Sequence, residues 1–112
     1  MKTLFGSLLA LCMTTAVFAE CQRPSAPALP EGASADMPAM VEGQAAVKAF
    51  VADGNAYLEC LQAEAAALKE AGKGEDEEAA AARLASYNGM VDEMNAVAGQ
   101  FNAEIKVFKA RQ

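Results

Sequence analysis

The chain predicts an all-α fold: a long antiparallel two-helix hairpin with an N-terminal polyproline-like strap tied by a disulfide. Three observations point there. Two apolar heptad series of matching length lie on either side of a short linker, Gly72-Lys73-Gly74, and a proline stands at every third position, Pro24, Pro27 and Pro30, behind Cys21. A linker that short makes consecutive helices antiparallel neighbours.

Residues 1–19 read as a signal peptide. Lys2 supplies a positive n-region, Leu4 to Val17 an apolar h-region, and Val17-Phe18-Ala19 the small residues that signal peptidase requires at −3 and −1. The apolar run is shorter than the roughly 20 residues that cross a bilayer, so no membrane span is expected in the mature protein. Glu20 precedes Cys21, where a lipobox would need a small residue, which disfavours lipidation. The expected location is periplasmic or secreted, after cleavage near Ala19.

Cleavage removes Lys2 and Cys12, which takes the formal charge from −6 to −7 and leaves Cys21 and Cys60. Two cysteines in an exported chain ordinarily pair. The alternative, a free buried thiol, fits poorly with the polar, proline-rich stretch around Cys21. About ninety mature residues make one small domain, close to the size at which a single core is marginal without a staple. The acidic balance offers no basic stripe for nucleic acid or anionic lipid.

Residues 20–36 are rich in Pro, Ala, Ser and Gly and lack both helical and alternating apolar period. In a polyproline II helix of three residues per turn, Pro24, Pro27 and Pro30 project from one side. Helix 1 is expected over 37–71, with Ser34 or Asp36 as its cap, Pro38 in its first turn and Gly72 closing its end in a left-handed conformation. The turn is 72–74. Helix 2 is expected over 75–110, with Glu75, Asp76, Glu77 and Glu78 at its positive end and Lys106, Lys109 and Arg111 at its negative end.

The apolar seam of helix 2 runs through Ala80, Leu84, Tyr87, Val91, Met94, Ala98, Phe101, Ile105 and Phe108. That of helix 1 runs through Met40, Gln44, Val47, Val51, Gly54, Leu58, Leu61, Ala65 and Leu68. Folding back at the linker pairs positions whose numbers sum to 148 or 149, so Gly54 meets Met94, Ala65 meets Leu84, Val51 meets Ala98 and Leu68 meets Ala80. Small then faces large, as close packing requires. Phe50 and Tyr57 lie one heptad apart on the flank of helix 1, with Cys60 a turn further on. The strap should therefore lay Pro24, Pro27 and Pro30 on Phe50 and Tyr57, helped by Leu29, and end at a Cys21–Cys60 bridge.

The catalytic inventory is thin. The chain has no histidine, which removes the commonest general base and zinc ligand. No phosphate-binding glycine loop or nucleophile elbow is present. The acidic run at 75–78 lacks the oxygen spacing of a calcium loop and reads as dipole compensation. Met37, Met40, Met90 and Met94 raise copper as an idea, but the register separates the first pair from the second by about two dozen ångströms of helical rise. No metal and no cofactor are expected. Asn88, Asn95 and Asn102 recur every seven residues beside the seam. They either hydrogen-bond across the hairpin edge or to strap carbonyls, or form a recognition edge for a partner.

The runs CQRPSAPALPEG, AVKAFVADGNAYLECL and YNGMVDEMNAVAGQFNAEIKVFKAR resemble a group of small exported bacterial proteins of uncharacterised function. The resemblance spans nearly the whole mature chain and implies a recurring strap and hairpin, with no activity attached. The functional expectation is a non-enzymatic envelope or secreted protein that binds an envelope protein or itself, the latter as a homodimer in which two hairpins pair into a bundle. The alternative is a small-ligand or metal carrier acting as a homodimeric four-helix bundle.

Overall fold

The structure is a computed structural model that describes residues 20–72 and 76–112. The expected signal peptide, 1–19, and linker residues 73–75 lie outside the described residues. The rest forms two α-helices, α1 (Met37–Glu70) and α2 (Glu77–Ala110), each of 34 residues, joined as a hairpin. Ahead of them runs an extended strap bridged to α1 by a Cys21–Cys60 disulfide with a Cα–Cα distance of 5.6 Å.

The caps explain the helix limits. Asp36, rather than Ser34, caps α1, its carboxylate accepting the Ala39 N–H at 2.9 Å, and Pro38 fills a first-turn position that has no hydrogen bond to lose. α1 ends one residue earlier than expected, at Glu70. The Ala71 N–H bonds to Ala67 at 3.0 Å, and Gly72 takes φ +67°, the left-handed region open to glycine. α2 starts two residues later than expected because Asp76 is its cap, accepting from the Ala79 N–H at 2.7 Å. The strap is extended only to Glu31. The Glu31 carbonyl then accepts the Ser34 and Ala35 N–H groups at 3.1 and 2.8 Å, and this turn reverses the chain into α1.

The hairpin register is visible at Gly54. A Cβ placed there would meet Met94 Sδ at 2.6 Å and Met90 Cε at 3.2 Å, so Met94 faces Gly54 as the sum of 148 requires. Met40, Val47, Gly54 and Leu61, spaced by seven, are buried along α1. A second buried column, Gly43, Phe50 and Tyr57, also spaced by seven, flanks it. On α2 the buried residues are Met90, Val97, Phe101 and Phe108.

Two parts of the seam need correction. Met90, with no exposed surface, and Val97, at 6% exposure, are buried although neither lies on the expected seam. Ala80 and Leu84, which do, are exposed. Both differences have one cause, the strap. It fills the groove on one side of the hairpin and turns the 90–97 column inward, but it reaches only as far as Cys60. Beyond that level two helices alone cannot enclose a seam, and Leu84 is left 61% exposed.

Candidate functional site

The strap side is the most constrained region. Cys21, Pro24, Pro27 and Pro30 are each half-buried, and the residues between them are exposed apart from Leu29, the pattern of a three-residue repeat lying on a surface. The strap runs antiparallel to α1. Pro24 shares a depression with Tyr57 and Asp53, and Pro30 packs on Gly43, where an added Cβ would fall 2.7 Å from its ring. Equal spacing sets Pro27 level with Phe50, which is 3% exposed.

Polar contacts fasten the strap to α2. The Arg23 guanidinium donates to Glu93 at 2.6 Å, with both side chains partly exposed. The Gly32 N–H donates to the Glu104 carboxylate. Arg111, just past the end of α2, donates to the Ala33 and Ala35 carbonyls at 2.9 and 2.6 Å, and its guanidinium lies 5.4 Å from the Phe108 ring centroid. Arg111 thus does more than balance the helix dipole. The single seam expected on α2 does not announce these contacts, although Met90, Val97 and Glu104 share a spacing of seven that marks a second column.

Little on this side can do chemistry. Cys21, Cys60 and Glu64 bring candidate ligand atoms within 4.8 Å of one another, but both sulfurs are joined and offer no thiolate. Among the described residues no polar or charged side chain is buried. Met40 and Met90 are buried in the core and Met94 packs on Gly54, so these three act as gap-filling residues.

The opposite side of the hairpin differs in character. At about 100° per residue, Gln44, Lys48, Val51, Asn55, Leu58 and Gln62 on α1 lie away from the strap-facing column, with Lys48 exposed. So do Asn88, Val91, Asn95, Ala98, Asn102 and Ile105 on α2. Val51, Leu58, Val91, Ala98 and Ile105 form a half-buried apolar stripe, and the amides along its two edges are exposed. Asn88, Asn95 and Asn102 hydrogen-bond neither across the hairpin nor to the strap. The register-fixing role expected as one reading of this ladder is absent among the described residues.

Two apolar grooves open on this face, one at each end. A groove of about 270 Å³ lies between Met40 and Val41 of α1 and Phe101, Ile105 and Phe108 of α2. The other, of about 480 Å³, lies between Leu61 and Ala65 of α1 and Ala80, Leu84 and Tyr87 of α2. Among the described residues no helix is long and apolar enough to cross a membrane. Comparison with family models, curated proteins and solved structures finds no match to the chain.

Proposed function

We propose that this is a non-enzymatic protein of the bacterial envelope, periplasmic or secreted after cleavage near Ala19, whose strap-free face binds another protein, either an envelope component or a second copy. One observation carries the reading. A half-buried apolar stripe edged by exposed amides whose side chains make no internal hydrogen bond leaves both donors and acceptors open to a partner. The strap and its disulfide then serve as a brace that holds two 34-residue helices in line. The disulfide and the export signal read at 1–19 support an oxidising compartment.

The test is photo-crosslinking in intact cells, with a photoreactive residue at Asn95 and, as a control, at Ser25 on the exposed side of the strap. Defined protein adducts from position 95 but not from 25 support the reading, whereas equal or absent adducts at both sites refute it. The carrier reading draws on the two largely apolar grooves, which suit a small apolar ligand better than a metal because their linings carry no thiol, imidazole or carboxylate side chain. Native mass spectrometry of the purified protein tests it, and retained small-molecule mass favours it.

A further inference from the structure

We infer that the strap is a redox-operated cover. The Cys21–Cys60 bridge is its latch, the turn at 31–35 is its hinge, and reduction by a dithiol frees residues 20–30 from a hairpin that stays folded. The inference goes beyond the interaction reading above and concerns the opposite side of the molecule.

The fastenings are unequally shared along the strap. At the hinge, the Glu31 carbonyl accepts the Ser34 and Ala35 N–H groups, the Gly32 N–H donates to the Glu104 carboxylate, and Arg111 donates to the Ala33 and Ala35 carbonyls. Ahead of Glu31, the one polar contact with the hairpin among the described residues is Arg23 to Glu93, whose side chains are 43% and 31% exposed. An ion pair that open to water holds little. A polyproline II segment also has no hydrogen bonds of its own, so residues 20–30 depend on packing and on the bridge.

The packing is one-sided. Pro24, Pro27 and Pro30 are half-buried, whereas Gln22, Arg23, Ser25, Ala26 and Ala28 are exposed. Contact along a single edge must therefore offset the chain entropy of ordering the whole stretch. Segments with few buried contacts and no backbone bonds are the first to open locally. The bridge decides this balance because it fixes the end of the strap farthest from the hinge.

The latch lies within reach of a reductant. Cys21 and Cys60 are half-buried, and Cys60 lines a surface depression of about 360 Å³ together with Gln22, Arg23, Pro24, Asp53 and Tyr57. A thiolate of the dithiol that enters there attacks Cys60 Sγ and forms a mixed disulfide with it. The bond to Cys21 breaks, and Cys21 leaves as a thiolate that takes up a proton. The second thiol of the reductant then displaces Cys60. Two electrons pass to the chain, which ends with two thiols, and the reductant ends as a disulfide.

Opening uncovers an apolar column. Phe50 and Tyr57, 3% and 9% exposed, belong to one core with Met90 and Val97 of α2. Gly43 continues the column of Phe50 and Tyr57, under the Pro30 ring. The oxidised protein hides this column, and the reduced protein displays it.

The experiment is ¹⁵N relaxation NMR of the exported, oxidised protein before and after dithiothreitol, with far-UV circular dichroism and iodoacetamide labelling read by mass spectrometry. Without denaturant, both cysteines should become alkylated after reduction while the helical spectrum is unchanged. Backbone order parameters of Gln22, Ser25, Ala26 and Ala28 should fall from about 0.85 to below about 0.6, whereas those of Ser34, Ala35 and both helices stay high. The double variant Cys21→Ser, Cys60→Ser should show the mobile strap with no reductant present, and removal of dithiothreitol followed by air oxidation should restore order in the wild type alone. A bridge that dithiothreitol reduces only in denaturant, a strap that stays ordered after reduction, mobility that extends through Ser34 and Ala35, or helices that melt together with the strap each overturn the inference. None of these results bears on the strap-free face, so the interaction reading stands or falls separately on its own cross-linking test.

Discussion

Gly32→Ala probes whether the strap is packed against the hairpin or merely lies near it. A Cβ at position 32 would fall 2.0 Å from the Glu104 carbonyl oxygen and 2.9 Å from both the Glu104 carbonyl carbon and the Phe108 nitrogen. All three are backbone atoms of a helix and cannot swing aside. An ordinary carbon–oxygen contact is about 3.3 Å or more, so the strap must retreat by about 1.3 Å. That retreat loosens the Gly32 bond to Glu104 and the Arg111 bonds to Ala33 and Ala35. Overpacking costs typically about 1–3 kcal/mol, and a hydrogen bond to a charged group contributes about 1.5–3 kcal/mol. The smaller unfolded-state entropy of alanine returns about 0.4–1 kcal/mol. The net expectation is a loss of about 2–3 kcal/mol, or roughly 10 °C or more in Tm for a domain of this size.

Two sister substitutions calibrate the result. At Gly99, exposed on α2, an added Cβ would have no neighbour within 4 Å, so Gly99→Ala should gain up to about 1 kcal/mol from helix propensity. At Gly54 the close atoms belong to the flexible ends of Met94 and Met90, which can move, so Gly54→Ala should stay near wild type. Urea denaturation of the oxidised proteins, followed by far-UV circular dichroism, measures all three. If Gly32→Ala equals or exceeds wild type in stability while Gly99→Ala behaves as expected, the close contact of the strap with α2 is wrong.

Other outcomes follow from the same geometry. Replacing both Cys21 and Cys60 with Ser opens a loop of 39 residues in sequence separation and should lower stability by about 4 kcal/mol in the chain-entropy model; an unchanged urea midpoint would mean that the bridge does not brace the fold. Changing Asn88, Asn95 and Asn102 together to Ala should leave stability equal or raise it, since the three make no internal hydrogen bond and alanine is the better helix former. A loss above about 1 kcal/mol, the typical worth of a single hydrogen bond, would return the ladder to a structural role. Loss of cross-linked partner at unchanged stability is the expected companion result.

The helices, their caps and their register are legible in the sequence because each rests on local rules. Asp36 caps α1, Gly72 stops it, and Gly54 leaves room for one large residue opposite; Asp76, read as a first-turn charge, is instead the cap of α2 and moves its start by two residues. The membership of the core is less legible for a definite reason. A four-three heptad pattern presumes that a helix has one neighbour, whereas each helix here has two along the strap and one beyond it. Met90 and Val97 therefore move into the core, and Ala80 and Leu84 move out of it. The strap's polar fastenings are hidden because Arg23, Glu93, Glu104 and Arg111 carry ordinary surface charges whose partners lie 70 or more residues away in sequence. Nothing local marks them. The asparagine edge of the outer face shows in its seven-residue spacing, but that this face is left open between two grooves depends on the strap occupying the other side.

The prolines and the helices keep different measures. Three residues of polyproline II advance about 9.3 Å, and seven residues of helix advance about 10.5 Å. Each strap repeat thus falls behind its heptad by about 1.2 Å, and after three repeats the lag is about one strap residue by the polyproline rise. Cys21 to Pro30 spans three such steps, close to the greatest length over which the two rulers stay in phase. A longer molecule of this kind cannot grow by single residues. It must add three to the strap and seven to each helix together, and it must reset the phase, by a turn or a bulky residue, before a fourth repeat.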